Sequence, residues 1–74
     1  MKGLAVDTYL GHKGEPMPRA FTHEGRTRTI REILTTWRRD DATYYRVSTQ
    51  DGARYVLRHD EELERWELVM QEEG

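Results

Sequence analysis

Residues 44–57, YYRVSTQDGARYVL, constrain the fold more than any other stretch of this chain. Two arms rich in β-branched and aromatic side chains flank an Asp-Gly pair, the composition of a β-hairpin. Two registers compete. A two-residue Asp51-Gly52 loop pairs Arg46 with Leu57 and Tyr45 with Arg58. A three-residue Gln50-Asp51-Gly52 loop pairs Val47 with Tyr55 and Tyr45 with Leu57, and sets Thr49 opposite Ala53. The second gathers the apolar side chains on one face, and a one-residue slip would turn all of them over. It also seats Gly52 at the left-handed bulge position of the turn, where a Cβ clashes. The expected inner face is Tyr45, Val47, Tyr55 and Leu57. The expected outer face is Tyr44, Arg46, Ser48, Arg54, Val56 and Arg58.

The remaining segments read mostly as strands. Leu4, Val6, Thr8 and Leu10 alternate as a first strand, and the Gly- and Pro-rich stretch 11–18 is a loop. Arg19–His23 and Arg26–Ile30 flank a Glu24-Gly25 turn. Residues 30–37 are ambiguous. Ile30, Ile33, Leu34 and Trp37 have helical spacing, but half of the eight residues are β-branched, which disfavours helix. A strand carried through a bulge near Arg31–Ile33 is the preferred reading, because a bulge lets residues of opposite parity face one core. A short helix around residues 31–37 is the alternative. Residues 38–41 form a polar turn. Trp66, Leu68 and Met70 then share one face of a last strand, with a helix capped by Asp60 as its competitor.

The expected fold is therefore all-β: a small SH3-like, partly open barrel of five or six antiparallel strands, closed enough to hide its edges. The expected division is residues 1–17 as N-terminal strand and loop, 18–70 as the barrel, and 71–74 as a frayed tail. A chain of 74 residues is one domain that buries only about 60% of its unfolded surface. Much of the core volume must then come from Trp37, Trp66, Phe21 and the four tyrosines. The absence of cysteine excludes disulfide staples and thiolate metal sites, and fits a reducing, cytoplasmic setting. No run resembles a secretion signal or a bilayer-crossing segment.

The net charge of −2 hides an asymmetry: residues 19–58 carry nine Arg against five acids, whereas residues 59–74 carry one Arg against seven. Arg46, Arg54 and Arg58 line one hairpin face beside Tyr44, and Arg26 and Arg28 extend that face if the two hairpins are neighbours. Arginine and tyrosine are enriched at protein interfaces. The same pairing of cation and aromatic ring also suits single-stranded nucleic acid. The acidic pI of about 5.9 argues against nucleic acid, and the acidic C-terminal segment is placed to cover the Arg face.

Nothing in the sequence points to catalysis. His12, His23 and His59 lack metal-ligand spacing and read as surface residues; Gly11 and Gly14 lack the partners of a phosphate loop; the lone Ser48 lies mid-strand. The acids Asp60, Glu61, Glu62 and Glu64 read as a solvated connection. No cofactor or metal is expected.

The pattern Pro18, Phe21, Gly25, Ile30, Ile33-Leu34, Trp37, Tyr44-Tyr45-Arg46-Val47, Asp51-Gly52, Tyr55, Leu57, Trp66, Leu68 resembles a family of small bacterial domains without an established activity. A related version occurs at the C-terminal end of polymerase-like subunits of bacterial translesion DNA synthesis. The resemblance covers about residues 18–69 and implies a β fold, a bacterial cytoplasmic setting and a lean towards DNA metabolism. The combined expectation is a monomeric, non-enzymatic binding module for another protein, with an accessory nucleic-acid domain in DNA repair as the alternative.

Overall fold

Turn chemistry and side-chain alternation divide the chain into six antiparallel strands. In the computed structural model, which describes residues 3–72, these are β1 (Val6–Leu10), β2 (Pro16–His23), β3 (Arg26–Arg39), β4 (Ala42–Thr49), β5 (Arg54–Asp60) and β6 (Arg65–Glu72). Each pairs with the next, giving a simple meander that curls into a partly open barrel. The described residues contain no helix, so residues 31–37 and 66–70 are both strand.

The central hairpin has the three-residue register. Val47 pairs with Tyr55 and Tyr45 with Leu57. The Thr49 N–H donates to the Ala53 carbonyl at 2.9 Å, and Gly52 takes φ 89°. The Asp51 carboxylate stiffens the bend by accepting from the Thr49 hydroxyl and from the Ala53 N–H. Glu24 (φ 53°) and Gly25 (φ 74°) make the two-residue turn between β2 and β3. Asp40 (φ 57°) opens the next turn, in a left-handed conformation that aspartate tolerates better than most side chains. Asp60 does not cap a helix; it accepts from the Glu62 and Leu63 N–H groups and folds the loop before β6.

The core holds Phe21, Tyr45, Val47, Tyr55, Leu57 and Trp66, with Leu4, Val6, Met17, Ile30, Ile33 and Leu68 packed round it. Phe21 meets Tyr55 edge-to-face at 5.0 Å, a geometry suited to the ring quadrupoles. The described part of the first seventeen residues belongs to this barrel, which corrects the expected boundary at residue 17. The Leu4 N–H donates to the Trp66 carbonyl at 2.7 Å and joins the N-terminal segment to β6. The Tyr45 hydroxyl donates to the Pro16 carbonyl. At the other end β6 runs to Glu72, so Gln71 and Glu72 are strand rather than tail; Glu73 and Gly74 lie outside the described residues.

β3 has two bulges. The first, between Ile30 and Glu32, was expected; the second, between Ile33 and Thr35, was not. The second turns Trp37 outward, opposite Tyr44, so Trp37 is a surface aromatic and not core. Tyr44 shares that outer face, and Tyr9 is exposed, so two of the four tyrosines supply the core. A further bulge, across from Val56 and Leu57, puts Met70 outside beside Val56 and breaks the expected face of Trp66, Leu68 and Met70. His59, expected at the surface, is buried and stacks on Trp66 at 4.5 Å.

Three turn carboxylates link stability to pH. The Thr49 hydroxyl, then the Ala53 N–H, holds Asp51 below its ordinary value. The Leu63 N–H, then the Arg58 charge, does so for Asp60, and the Thr43 hydroxyl, then Arg38, for Glu61. The folded values lie below the unfolded ones. This stabilisation is therefore complete above the unfolded carboxylate range, near pH 4, and is lost as pH falls through the depressed values. Urea midpoints are expected to drop most steeply below about pH 4. A midpoint that rises on acidification contradicts the assignment.

Candidate interaction face

Strand pairing sets the outer surface of β3 to β6 as a grid of four rows, each with one residue from each strand. Nearest the Asp40 turn, the first row is Arg39, Ala42, Asp60 and Arg65. The second is Trp37, Tyr44, Arg58 and Glu67. The third is Thr35, Arg46, Val56 and Met70, and the fourth is Glu32, Ser48, Arg54 and Glu72.

The middle rows interlock. The Trp37 and Tyr44 rings stack with centroids 5.4 Å apart and planes 8° from parallel. The Arg46 guanidinium lies 5.4 Å from the Trp37 ring centre and that of Arg58 6.0 Å from Tyr44, both within cation–π range. The Arg58 Nε–H also donates to the Tyr44 hydroxyl at 3.3 Å, the main cause that raises the Arg58 pKa. The arginines reach across to β6: Arg46 pairs with Glu72 at 3.1 Å and Arg58 with Glu67 at 2.8 Å, and Arg58 also pairs with Asp60 at 3.4 Å. Val56 lies in the row of Arg46, on the outer side of the sheet, yet is 3% exposed. Long arginine stems cover apolar surface in this manner while their heads stay wet.

The acidic C-terminal segment therefore does sit on the Arg face. The grid holds five cations and four carboxylates, so it is close to neutral rather than strongly cationic. Among the described residues, Arg39, Arg54, Arg65 and Glu32 are the grid charges without an ion pair.

Of the six residues expected to form a site, Tyr44, Arg46, Arg54 and Arg58 come together here. Arg26 and Arg28 do not. Arg28 stands opposite Phe21, on the inward side, and Arg26 opposite His23 beside the turn. Arg28 pairs with Asp51 at 3.1 Å and with Glu24 at 3.5 Å, and its Nε–H is buried without a partner. The bulge after Ile30 explains the divergence: it reverses the facing of β3, so the even-numbered arginines before it point away from the grid. Sequence reasoning placed Val56 on this face but missed Trp37, Glu67 and Met70. A two-residue Asp40-Asp41 turn was the available signal for Trp37, because it pairs Arg39 with Ala42 and so brings Trp37 to Tyr44.

Two depressions lie off this face. One of about 320 Å³ is lined by residues that include Ala5, Asp7, Ala20, Thr22 and Thr27. The other, about 270 Å³, is lined by Tyr9, Leu10, Gly11, His12, Glu15 and Met17. The Glu15 carboxylate is engaged by the Lys13 N–H of its own loop, and Glu15 titrates below its ordinary value, mainly through backbone hydrogen bonds. Among the described residues no group of three or more His, Asp and Glu side chains is placed to hold a metal ion.

The fold and the face together define a small antiparallel β-meander with an aromatic–arginine surface. Comparison with protein-family models, with characterised proteins and with solved structures gives no match.

Proposed function

We propose that this chain is a small, SH3-like, non-enzymatic binding module that docks another protein on the outer face of β3 to β6. The observation that supports it most is the Trp37–Tyr44 stack, flanked by Arg46 and Arg58 whose charges β6 neutralises. Trp, Tyr and Arg dominate binding hot spots, because large, stiff, amphipathic groups bury area at low entropic cost. An arginine already matched by a carboxylate gains little from phosphate, whereas it still packs well against a protein surface.

Trp37→Ala tests this reading, because Trp37 lies outside the core. Partners retained from a cell extract by the immobilised protein are expected to be lost from Trp37→Ala, with its circular dichroism unchanged. Partners that Trp37→Ala retains in full would remove this face from the account.

The alternative is an accessory nucleic-acid domain linked to DNA repair, in the cytoplasmic bacterial setting that the family resemblance implies. Arg39, Arg54 and Arg65, which have no ion pair among the described residues and share a face with the stacked rings, favour it. It requires NMR shifts at Arg54 and Trp37 on adding single-stranded DNA, with affinity falling steeply in salt as counterions are released.

A further inference from the structure

The charge order of the grid is self-complementary. The outer charges of the first row are Arg39, Asp60 and Arg65; in the fourth row the same strands carry Glu32, Arg54 and Glu72. We infer that the outer face of β3 to β6 is the contact surface of a homodimer, whose two-fold axis lies in the contact plane, perpendicular to the strands and between the second and third rows. This deepens the binding-face reading and rests on it: the partner is a second copy of this chain. It departs from the monomer expected of the sequence.

That operation lays the first row of one copy on the fourth row of the other, with the strands antiparallel. Arg39 then meets Glu32 of the partner subunit, Asp60 meets Arg54 of the partner subunit, and Arg65 meets Glu72 of the partner subunit. All six charges of these rows face an opposite sign. The four grid charges that lack an ion pair among the described residues, Arg39, Arg54, Arg65 and Glu32, each acquire one. In the middle rows Tyr44 meets Arg46 of the partner subunit, a cation–π contact, and Arg58 lies on the Val56 patch. The competing two-fold axis, parallel to the strands, brings Arg39 onto Arg65 and Glu32 onto Glu72, like on like. The charges therefore select one arrangement and oppose the other, as complementary interfaces do. The contact is isologous, as closed two-fold dimers require.

Size makes the association weak. With strands about 4.8 Å apart and a rise of about 3.4 Å per residue, the grid covers roughly 500 Å² per copy. That is below the ~800 Å² per partner of a standard stable interface. The curl of the sheet brings β4 and β5 closest, leaving the long side chains on β3 and β6 to bridge the edges. Dissociation constants of roughly 0.1–1 mM are expected, rising with salt because the outer pairs are exposed.

A charge swap tests the arrangement. Glu32 and Arg39 are exposed and have no ion pair among the described residues, so changing them leaves the fold intact. Sedimentation and NMR diffusion up to millimolar protein are expected to show a monomer–dimer equilibrium at low salt. E32R alone and R39E alone are each expected to weaken it at least about fivefold, because the two-fold axis repeats the contact and each variant turns two exposed ion pairs into like-charge contacts. The double variant R39E/E32R restores it. A chain monomeric at millimolar concentration overturns the homodimer, as does a dimer indifferent to both single variants or a double variant no tighter than either. If the homodimer fails while Trp37→Ala still abolishes capture of another protein, the binding face stands without self-association. If both fail, the face itself is wrong.

Discussion

Trp66→Ala is expected to remove about 3–5 kcal/mol of stability, the usual loss when a large buried ring becomes a methyl. For this domain that is a large share of the whole: roughly 0.05–0.15 kcal/mol per residue puts the total near 4–11 kcal/mol. The Trp66 ring packs at 5.4 Å from Tyr45 and 4.5 Å from His59, so its removal strips two inward side chains of contacts at once. Its carbonyl also accepts the Leu4 N–H that joins the N-terminal segment to β6. Collapse of the ring site pulls on that junction, which links the two edges of the curled sheet. Thermal circular dichroism should show Tm lowered by more than about 12 °C, at 4–8 °C per kcal/mol for this size. A shift under about 4 °C would mean that the ring is not part of the core.

Leu57→Ala comes second, at about 2–5 kcal/mol. Leu57 is fully buried and lies between Tyr45 on β4 and Leu68 on β6. It sits mid-sheet, where neighbours on both sides are fixed by strand pairing and collapse poorly into a cavity. The neighbouring Val56 provides the contrast. It is nearly as buried, but beneath arginine stems on the outer face that can settle into the gap, so Val56→Ala should cost at least about 1 kcal/mol less than Leu57→Ala. Urea denaturation of the two variants side by side separates the faces of β5.

The hairpin at residues 44–57 was legible because three local signals agree: alternation at period two, β-rich arms, and a glycine where the bend needs positive φ. The first bulge of β3 was legible as well, since Ile30 and Ile33 have opposite parity and both must face the core. The bulges at Leu34 and Val69 left no such mark. Leu34 follows Ile33 like a second core residue, and Val69 continues an apolar run, so neither announces that the strand turns over there. These two phase shifts misplaced Trp37, counted as core, and Met70, set beside Leu68; Arg26 and Arg28 were put with Arg46 because the reversal of facing at the first bulge was not carried back to the strand before it.

The candidate face was partly legible for the same reason. Tyr44, Arg46 and Arg58 belong to the one hairpin whose register was determined, and they were found together. Their neutralisation by Glu67 and Glu72 depends on how β6 registers against β5, a non-local fact that the acidic composition of the segment only hinted at.

The central claim is that β4 and β5 separate two populations of side chain: Tyr45, Val47, Tyr55 and Leu57 inward, and Tyr44, Arg46 and Arg58 outward against Trp37. Proton–proton Overhauser contacts of the Trp37 indole test it most directly. The account requires contacts from the indole to the Tyr44 ring and the Arg46 side chain, and none to the Leu57 methyls. Strong contacts between the Trp37 indole and Leu57 or Val47 would place the ring in the core and dissolve the outer grid.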